Sequence, residues 1–296
     1  EVKKVKRADN EIIESPWTVA ENDSLIDAVR FMNEKETSSV LVVDTQGFLL
    51  GILTARDIRF IQFQEEKFRQ LKVGEVMTRG PLVTAPPDVG IDRAIFLLQQ
   101  NKVEKLPLID AKGKPVGLIT AQDILKKYKY PKAVRDKKGR LVAGAAIGVS
   151  SDYLSEVKAL IQDGEVDVLL VDTARANSLR TARVLNNIRT QFPNQPLVVG
   201  NVDNAEGAAV LIGAGADCIK VGIGPGSACK TRVETGVGAP QLTAIAECAA
   251  VAKQKGISVI ADGGVREGGD LAKAFGAGAD FVMLGGQAGL TGHLVI

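Results

Sequence analysis

DCIKVGIGPGSACKTRVETGVGAPQ, residues 217–241, is the stretch from which the fold is read. An apolar, β-rich run from Ile219 to Ile223 breaks into Gly224, Pro225 and Gly226, presents Ser227 and delivers Cys229. The segment after the run is too rich in glycine to predict as helix or strand. A buried strand that ends this way can hand a nucleophile to a ligand. Glycine backbone approaches a phosphate closely and offers its N–H groups, and Ser227 adds a hydroxyl donor. Cys229 is then a candidate nucleophile beside a bound nucleotide, its thiol acidified by nearby N–H dipoles and by Arg232. The alternative reading is a strand-to-loop turn that carries an inert cysteine.

Outward from this stretch, short apolar runs alternate with helical patterns. The runs are 141–149, 166–173, 196–202, 218–224, 257–264 and 281–286; the helical segments include 152–162, 178–190, 205–214 and 241–255. Continuous apolar strands alternating with helices predict parallel strands covered on both faces, hence an α/β barrel or an open doubly wound sheet. Small-residue motifs (DTA, GNV, GIGPGS, ADGG, LGG) close nearly every strand, which favours a barrel with its site on that face. Six strands are two short of an eight-strand barrel. The expectation is that two βα units precede Glu1, and that the sequence is a fragment or the ordered remainder of a larger protein.

The first half repeats itself. Ala28, Asp44, Gly47, Gly51, Thr54 and Asp57 recur 66 residues later as Ala94, Asp110, Gly113, Gly117, Thr120 and Asp123, most plainly in GILTARDI (51–58) against GLITAQDI (117–124). Each copy reads as helix, strand, glycine turn, second strand and a helix opening at Ala55 or Ala121. Thr54 and Thr120 fall where a strand meets a helix N-terminus, which favours an anion. Asp57 and Asp123 also read as ordinary first-turn residues. The pattern resembles a tandem pair of CBS domains over residues 12–127. That resemblance implies adenine or guanine nucleotides between the copies, with Thr54 and Thr120 on phosphate and Asp57 and Asp123 on ribose. Residues 1–11 read as the linker into this module. The charged segment 126–140, broken by Pro131 and Gly139, reads as the boundary, with 128–296 forming six barrel units.

Composition narrows the function. The chain has 296 residues, 45% of them hydrophobic, which allows two domains with buried cores. A net charge of +2 and 4% aromatic residues argue against nucleic acid or a membrane surface as partner. The basic start (Lys3, Lys4, Lys6, Arg7) reads as solvated linker. Three cysteines without C-x-x-C spacing suit a reducing compartment, and the one histidine, His293, builds no histidine metal site. With no signal peptide or 18-residue apolar run, the expectation is a cytoplasmic protein, import by a signal outside these residues being left open.

GPGSACKTRVETGVGAPQ (224–241), ADGG (261–264) and VMLGG (282–286) together resemble the catalytic domain shared by IMP dehydrogenase and GMP reductase. The inserted tandem module belongs to the same resemblance. It implies a (β/α)8 TIM barrel, a homotetramer, and pairing of tetramers into octamers when ATP, GTP or GMP binds the CBS module. Cys229 then resembles the nucleophile that attacks C2 of the purine ring. Gly226, Ser227, Gly264, Gly285 and Gly286 resemble the phosphate cradle, and Asp262 the acceptor of the ribose hydroxyls. Asp172, Thr173 and Ala174 resemble the dinucleotide side, although Ala176 stands where the family usually has glycine. The carbonyls of Gly224, Gly226 and Cys229 correspond to a potassium site of the dehydrogenases. Thr231 is a candidate for proton transfer, served by a general base on a flap expected after the last strand.

Two reactions share this machinery. AKAFGAGADFVMLGG (272–286), with Phe275, Phe281 and Gly286, and TAIAECA (243–249) lean toward GMP reductase, which uses NADPH. The CBS insertion is commoner among the dehydrogenases, which use NAD, and TGVGAPQ is shared by members of both. A further reading keeps the chain as a nucleotide sensor with an inactive barrel.

Overall fold

The computed structural model describes residues 1–8, 12–63 and 65–285. Gly286 and His293 therefore lie outside the described residues. Two compact units are present, one formed by Arg7–Leu141 and the other by Glu1–Lys6 with Val142–Ile296.

In the first unit the strands are β1 (Ile13–Glu14), β2 (Thr18–Ala20), β3 (Ser39–Val43), β4 (Leu49–Thr54), β5 (Thr78–Arg79), β6 (Lys105–Ile109) and β7 (Pro115–Thr120). The repeat seen in sequence governs their pairing. Antiparallel Ser39↔Thr54 and Val42↔Gly51 of β3 and β4 become Lys105↔Thr120 and Leu108↔Gly117 of β6 and β7, each 66 residues on, and the register shift before Val43 recurs before Ile109. Both hairpin turns are held by an aspartate. Asp44 Oδ1 accepts the N–H groups of Gln46 and Phe48, and Asp110 Oδ1 those of Lys112 and Lys114. Each hairpin is backed by a helix, Leu25–Glu34 or Ile91–Asn101, that buries Leu25, Ala28 and Met32 or Ala94 and Leu98 at helical spacing. The short edge strands are exchanged: β5, which precedes the second copy, pairs with β4 of the first, and β1, which precedes the first, pairs with β7 of the second. Leu41, Ile52 and Leu118 pack together with Ile13 and Leu82, so the two copies share a core.

The second unit carries six strands, β8 (Gly144–Ile147), β9 (Val168–Asp172), β10 (Leu197–Val202), β11 (Cys218–Val221), β12 (Ser258–Asp262) and β13 (Phe281–Met283), one in each predicted apolar run. They are all parallel, and each lies beside its predecessor in the chain. A doubly wound sheet reverses its strand order at a switch point; this one does not, so it is singly wound in the manner of a TIM barrel. Alternate residues face opposite ways. Leu169, Val171, Val199, Ile219, Val221 and Val259 pack against Leu185, Ile188, Leu211 and Ile245 of the covering helices. Val198, Cys218 and Ile260 form a separate apolar layer on the other face with Val168, Leu170 and Met283. Burying a side chain such as Leu169 contributes about 1.5–3 kcal/mol, and burial on both faces explains the unbroken apolar runs. Ser178 and Asn204 start the helices Leu179–Gln191 and Ala205–Gly213 by accepting the N–H groups of Thr181 and Gly207, which places both helix starts just past the ends of β9 and β10.

Three expectations need correction. Residues 1–11 are not simply linker: Val2–Ala8 is helical, and Lys6, expected in solvent, is buried with its Nζ 2.7 Å from Asp167 Oδ2. That carboxylate also accepts the Ala143 N–H, so the buried ammonium meets a charge already fixed at the sheet edge. Nor is 126–140 only solvated. Ala121–Lys129 is helix, and residues 136–140 close a tight turn in which Arg140 binds Asp136 through Nε and Nη2 at 2.9 and 2.8 Å. Finally, the glycine-rich loop is not free of helix, because Thr231–Thr235 forms a short one ended by Gly236 in the left-handed region.

Among the described residues no helix is long and apolar enough to cross a membrane.

Candidate active site

The apolar inner layer of the six-stranded sheet turns polar at the strand ends. Asp172, Gly200 and Lys220 stand side by side in register on β9, β10 and β11, and Asp262 ends β12. Lys220 is almost completely buried, and a buried ammonium requires pairing. Its Nζ lies 2.5 Å from Asp262 Oδ2 and 3.2 Å from Asp172 Oδ1. Asp172 is two strands away from β11, and Gly200 makes that reach possible: a Cβ there would stand 2.6 Å from Lys220 Cβ and 2.5 Å from the Lys220 carbonyl oxygen. Asn201 Nδ2 donates to the same Asp262 Oδ2 at 2.9 Å and to the Gly222 carbonyl at 2.6 Å. Gln241 Nε2 donates to the carbonyls of Val221 and Asp262, tying β11 to β12. Among the described residues, Asn201 Oδ1 and Gln241 Oε1 are buried without a hydrogen-bond partner. An acceptor left unpaired beside two carboxylates fits a ligand that brings its own donors, such as ribose hydroxyls or a carboxamide.

Beyond β11 the chain forms the Cys229 loop. Arg232 pins its two ends, Nε donating to the Ile223 carbonyl at 2.8 Å and Nη2 to the Ala239 carbonyl. Cys229 is exposed, and its N–H donates to the Gly226 carbonyl at 3.1 Å. Its Sγ lies 3.2 Å from Thr231 Oγ1. The thiol's pKa is held below a cysteine's ordinary value by that hydroxyl first, then by the Thr231 and Gly224 N–H groups and the Arg232 charge. Cys218 and Cys248 are the opposite case, pushed up to about 12 by burial. Cys229 is thus the one exposed thiol and the one disposed to ionise.

The Cys229 loop and the end of β12 pack closely. A Cβ on Gly263 would stand 2.9 Å from Pro225 Cγ and 3.0 Å from the Gly226 nitrogen, so only glycine lets the two segments meet. The structure therefore brings Pro225 and Gly226 of the Cys229 loop against Gly263 and Gly264 at the end of β12, with Ser227, Gly264 and Gly285 solvent-exposed. Gly286 lies outside the described residues. On the β9 side, the Thr173 N–H donates to the Gly200 carbonyl and the Asn201 N–H to the Thr173 carbonyl, leaving Ala174 exposed. Ala176 is fully buried and is not in the left-handed region, and its N–H donates to the Asn201 carbonyl, so this backbone accepts a methyl. Of the three carbonyls that the resemblance relates to a cation, that of Gly226 accepts the Cys229 N–H. No group of three or more His, Cys, Asp or Glu capable of holding a metal occurs among the described residues.

Lys220, Asn201 and Gln241 were not singled out from the sequence. For Lys220 a signal existed, since a lysine inside the apolar run CIKVGIG must find carboxylates or leave the core. In the other unit, Thr54 and Asp57 make a capping box, with the Thr54 N–H and hydroxyl both 2.7 Å from Asp57 Oδ2, and the Thr78 hydroxyl lies 3.2 Å from Oδ1. Thr120 Oγ1 is 2.5 Å from Asp123 Oδ2 and accepts the Asp123 N–H.

Residues 1–292 match the family described as the IMP dehydrogenase / GMP reductase domain. The chain belongs to that family. Relatives include the inosine-5'-monophosphate dehydrogenases of Aquifex aeolicus, 46% identical over 96% of this chain, and Nitrosopumilus maritimus, 44% identical over 98%. The chain spans 57% and 60% of those proteins' lengths. Among solved structures, GMP reductase from Trypanosoma brucei in complex with guanosine 5'-triphosphate superposes with a TM-score of 0.84 at 34% identity, covering 97% of this chain and 69% of that one. The complex with guanosine 5'-monophosphate gives 0.83 at 33% identity, covering 96% and 60%. The IMP dehydrogenase / GMP reductase family comprises purine nucleotide oxidoreductases that use a nicotinamide cofactor, and both reactions remain compatible with these relatives.

Proposed function

We propose that this chain carries the site of a GMP reductase, which converts GMP to IMP and ammonia. The observation that carries the enzymatic reading is the exposed Cys229, its thiol acidified by Thr231, on a loop that packs against the end of β12 through the Gly226–Gly263 contact. Its thiolate attacks C2 of GMP, the C2–N bond breaks and ammonia departs, leaving the purine bound through sulfur. NADPH, when bound, would supply the hydride. As C2 receives it the C–S bond breaks, releasing IMP and restoring the thiolate; two protons are taken up in forming ammonium. Thr231 lies on Cys229 Sγ, where it can stabilise the thiolate and relay a proton to the departing nitrogen. Gly226, Ser227, Gly264, Gly285 and Gly286 would hold the phosphate, and Asp262 the ribose. Asp172, Thr173 and Ala174 would face the dinucleotide, the unpaired Asn201 Oδ1 offering it a further acceptor. A potassium ion on the loop carbonyls would stiffen the same turn.

Support for the reductase over the dehydrogenase comes from the strings 272–286 and 243–249 and from the likeness to the Trypanosoma brucei GMP reductase structures. The second reading, IMP dehydrogenase with NAD, is favoured by the 43–46% identity to proteins of that name. There the adduct loses hydride from C2 and water hydrolyses it to XMP. The full-length enzyme mixed with GMP and NADPH should consume NADPH and release ammonia in equal amounts; turnover seen only with IMP and NAD would reverse the assignment. The repeat unit we read as a CBS pair that takes ATP, GTP or GMP at Thr54, Asp57, Thr120 and Asp123, in a tetramer that nucleotides convert to an octamer. An inactive barrel is disfavoured by the intact Cys229, Ser227 and Asp262.

A further inference from the structure

In the proposed enzyme Asp262 and Asp172 hold separate ligands, and Lys220 has no part. Yet Lys220 touches both carboxylates. One ammonium, buried at the foot of the site, is shared by Oδ2 of Asp262 and Oδ1 of Asp172, and the gap left by Gly200 is what joins them. Asp262 Oδ2 also takes the Asn201 amide, so both fixed bonds fall on one oxygen. Each carboxylate thus turns one oxygen to a common frame and keeps the other for a ligand. An ammonium has three donors, and its charge divides between partners: when a diol draws density from one carboxylate, the bond to the other strengthens in response.

We propose that Lys220 is a positioning residue that couples the two sides of the site, so that a ligand on Asp262 changes the affinity for a ligand on Asp172. The inference rests on the proposed roles of those two aspartates. Without Lys220, two carboxylates would face each other across Gly200, and each side would set its own geometry. Reciprocity follows from linkage: the factor by which purine nucleotide alters dinucleotide affinity equals the factor in the opposite direction.

The test uses IMP with NADPH or NADH, pairs that neither reaction consumes. Dissociation constants are measured on the full-length enzyme for each ligand alone and in the presence of the other, by calorimetry and nicotinamide fluorescence. The wild type is expected to show a coupling factor of about 5-fold or more, in the usual range for linked sites. Lys220→Met should bring it close to one, whereas Lys220→Arg, which keeps the charge, should retain most of it. A merely structural lysine would weaken both ligands and leave the factor unchanged, and that result overturns the proposal, as does a factor of one in the wild type. Should Lys220→Met fail to fold, Asp172→Asn opens the same bridge from its half-exposed end, and retained coupling there is equally fatal. A wild type that binds no purine nucleotide refutes the proposed function and the inference with it; binding with coupling intact in Lys220→Met refutes the inference alone.

Discussion

At the scale of single residues, the three cysteines sort by environment. Cys229 sits on Thr231, while Cys218 and Cys248 lie in apolar layers on either side of the sheet. Iodoacetamide should therefore modify one thiol in the native protein and three after unfolding, counted by intact mass. Because the Thr231 hydroxyl is the largest cause of the depressed Cys229 pKa, Thr231→Val should raise the midpoint of the pH–alkylation curve and slow alkylation at neutral pH. It should also lower kcat far more than it weakens nucleotide binding; an unmoved midpoint removes Thr231 from thiolate stabilisation. The buried pair works in the opposite direction. The unfolded chain releases these protons near pH 8.5, the folded chain near 12, so from about 8.5 upward the native state binds more protons and stability falls. The urea midpoint should drop between pH 8 and 10, and drop less in Cys218→Val/Cys248→Ala. Cys229 and Asp262 were legible because their types and flanking glycines name a chemistry. Lys220 was legible only as a lysine in need of carboxylates, because the partners themselves lie 42 and 48 residues away in sequence.

At the scale of elements, the decisive piece is the loop that Arg232 closes. Arg232→Met would leave the Ile223 and Ala239 carbonyls unpaired and remove a charge near Cys229. Its expected cost is about 1–3 kcal/mol of stability for each carbonyl left without a donor, with a larger loss of activity than of melting temperature. Gly263→Ala should do more harm than its size suggests, since the methyl would enter at 2.9 Å from Pro225 and lift β12 from the loop. Near-normal kcat/KM in that variant would mean the contact has no part in holding substrate. The six strands were readable from apolar runs, since burial on both faces leaves no polar alternation to blur them. The Thr231–Thr235 helix was not: five residues beside Gly236 carry no periodicity, and Arg232 side-chain bonds settle the conformation. Nor was the exchange of β1 and β5 between the repeats, because two-residue strands are defined only by what they pair with.

At the scale of the whole molecule, two units were visible in sequence because one repeats at 66 residues and the other alternates strand with helix. What their aspartates do is a separate matter, since Asp57 and Asp123 are both part of helix starts. Asp57→Ala/Asp123→Ala leaves the capping Thr54 and Thr120 in place but removes the N3 carboxylates that accept the Thr54 N–H and hydroxyl and the Thr120 hydroxyl, each bond contributing about 0.5–1.5 kcal/mol, so the melting temperature without nucleotide should fall whatever the module binds. The response to ligand is the independent reading. A nucleotide that binds the folded unit stabilises it by about 2.7 kcal/mol at a hundred times its dissociation constant. ATP or GTP should raise the melting temperature of the full chain, and in the double variant that rise should shrink toward zero on top of the lower baseline, whereas GMP, proposed also as the substrate at Cys229, should keep part of its rise. A lower baseline with the nucleotide-induced rise intact would confine both aspartates to capping, and no rise in the wild type would leave the module without a nucleotide to sense.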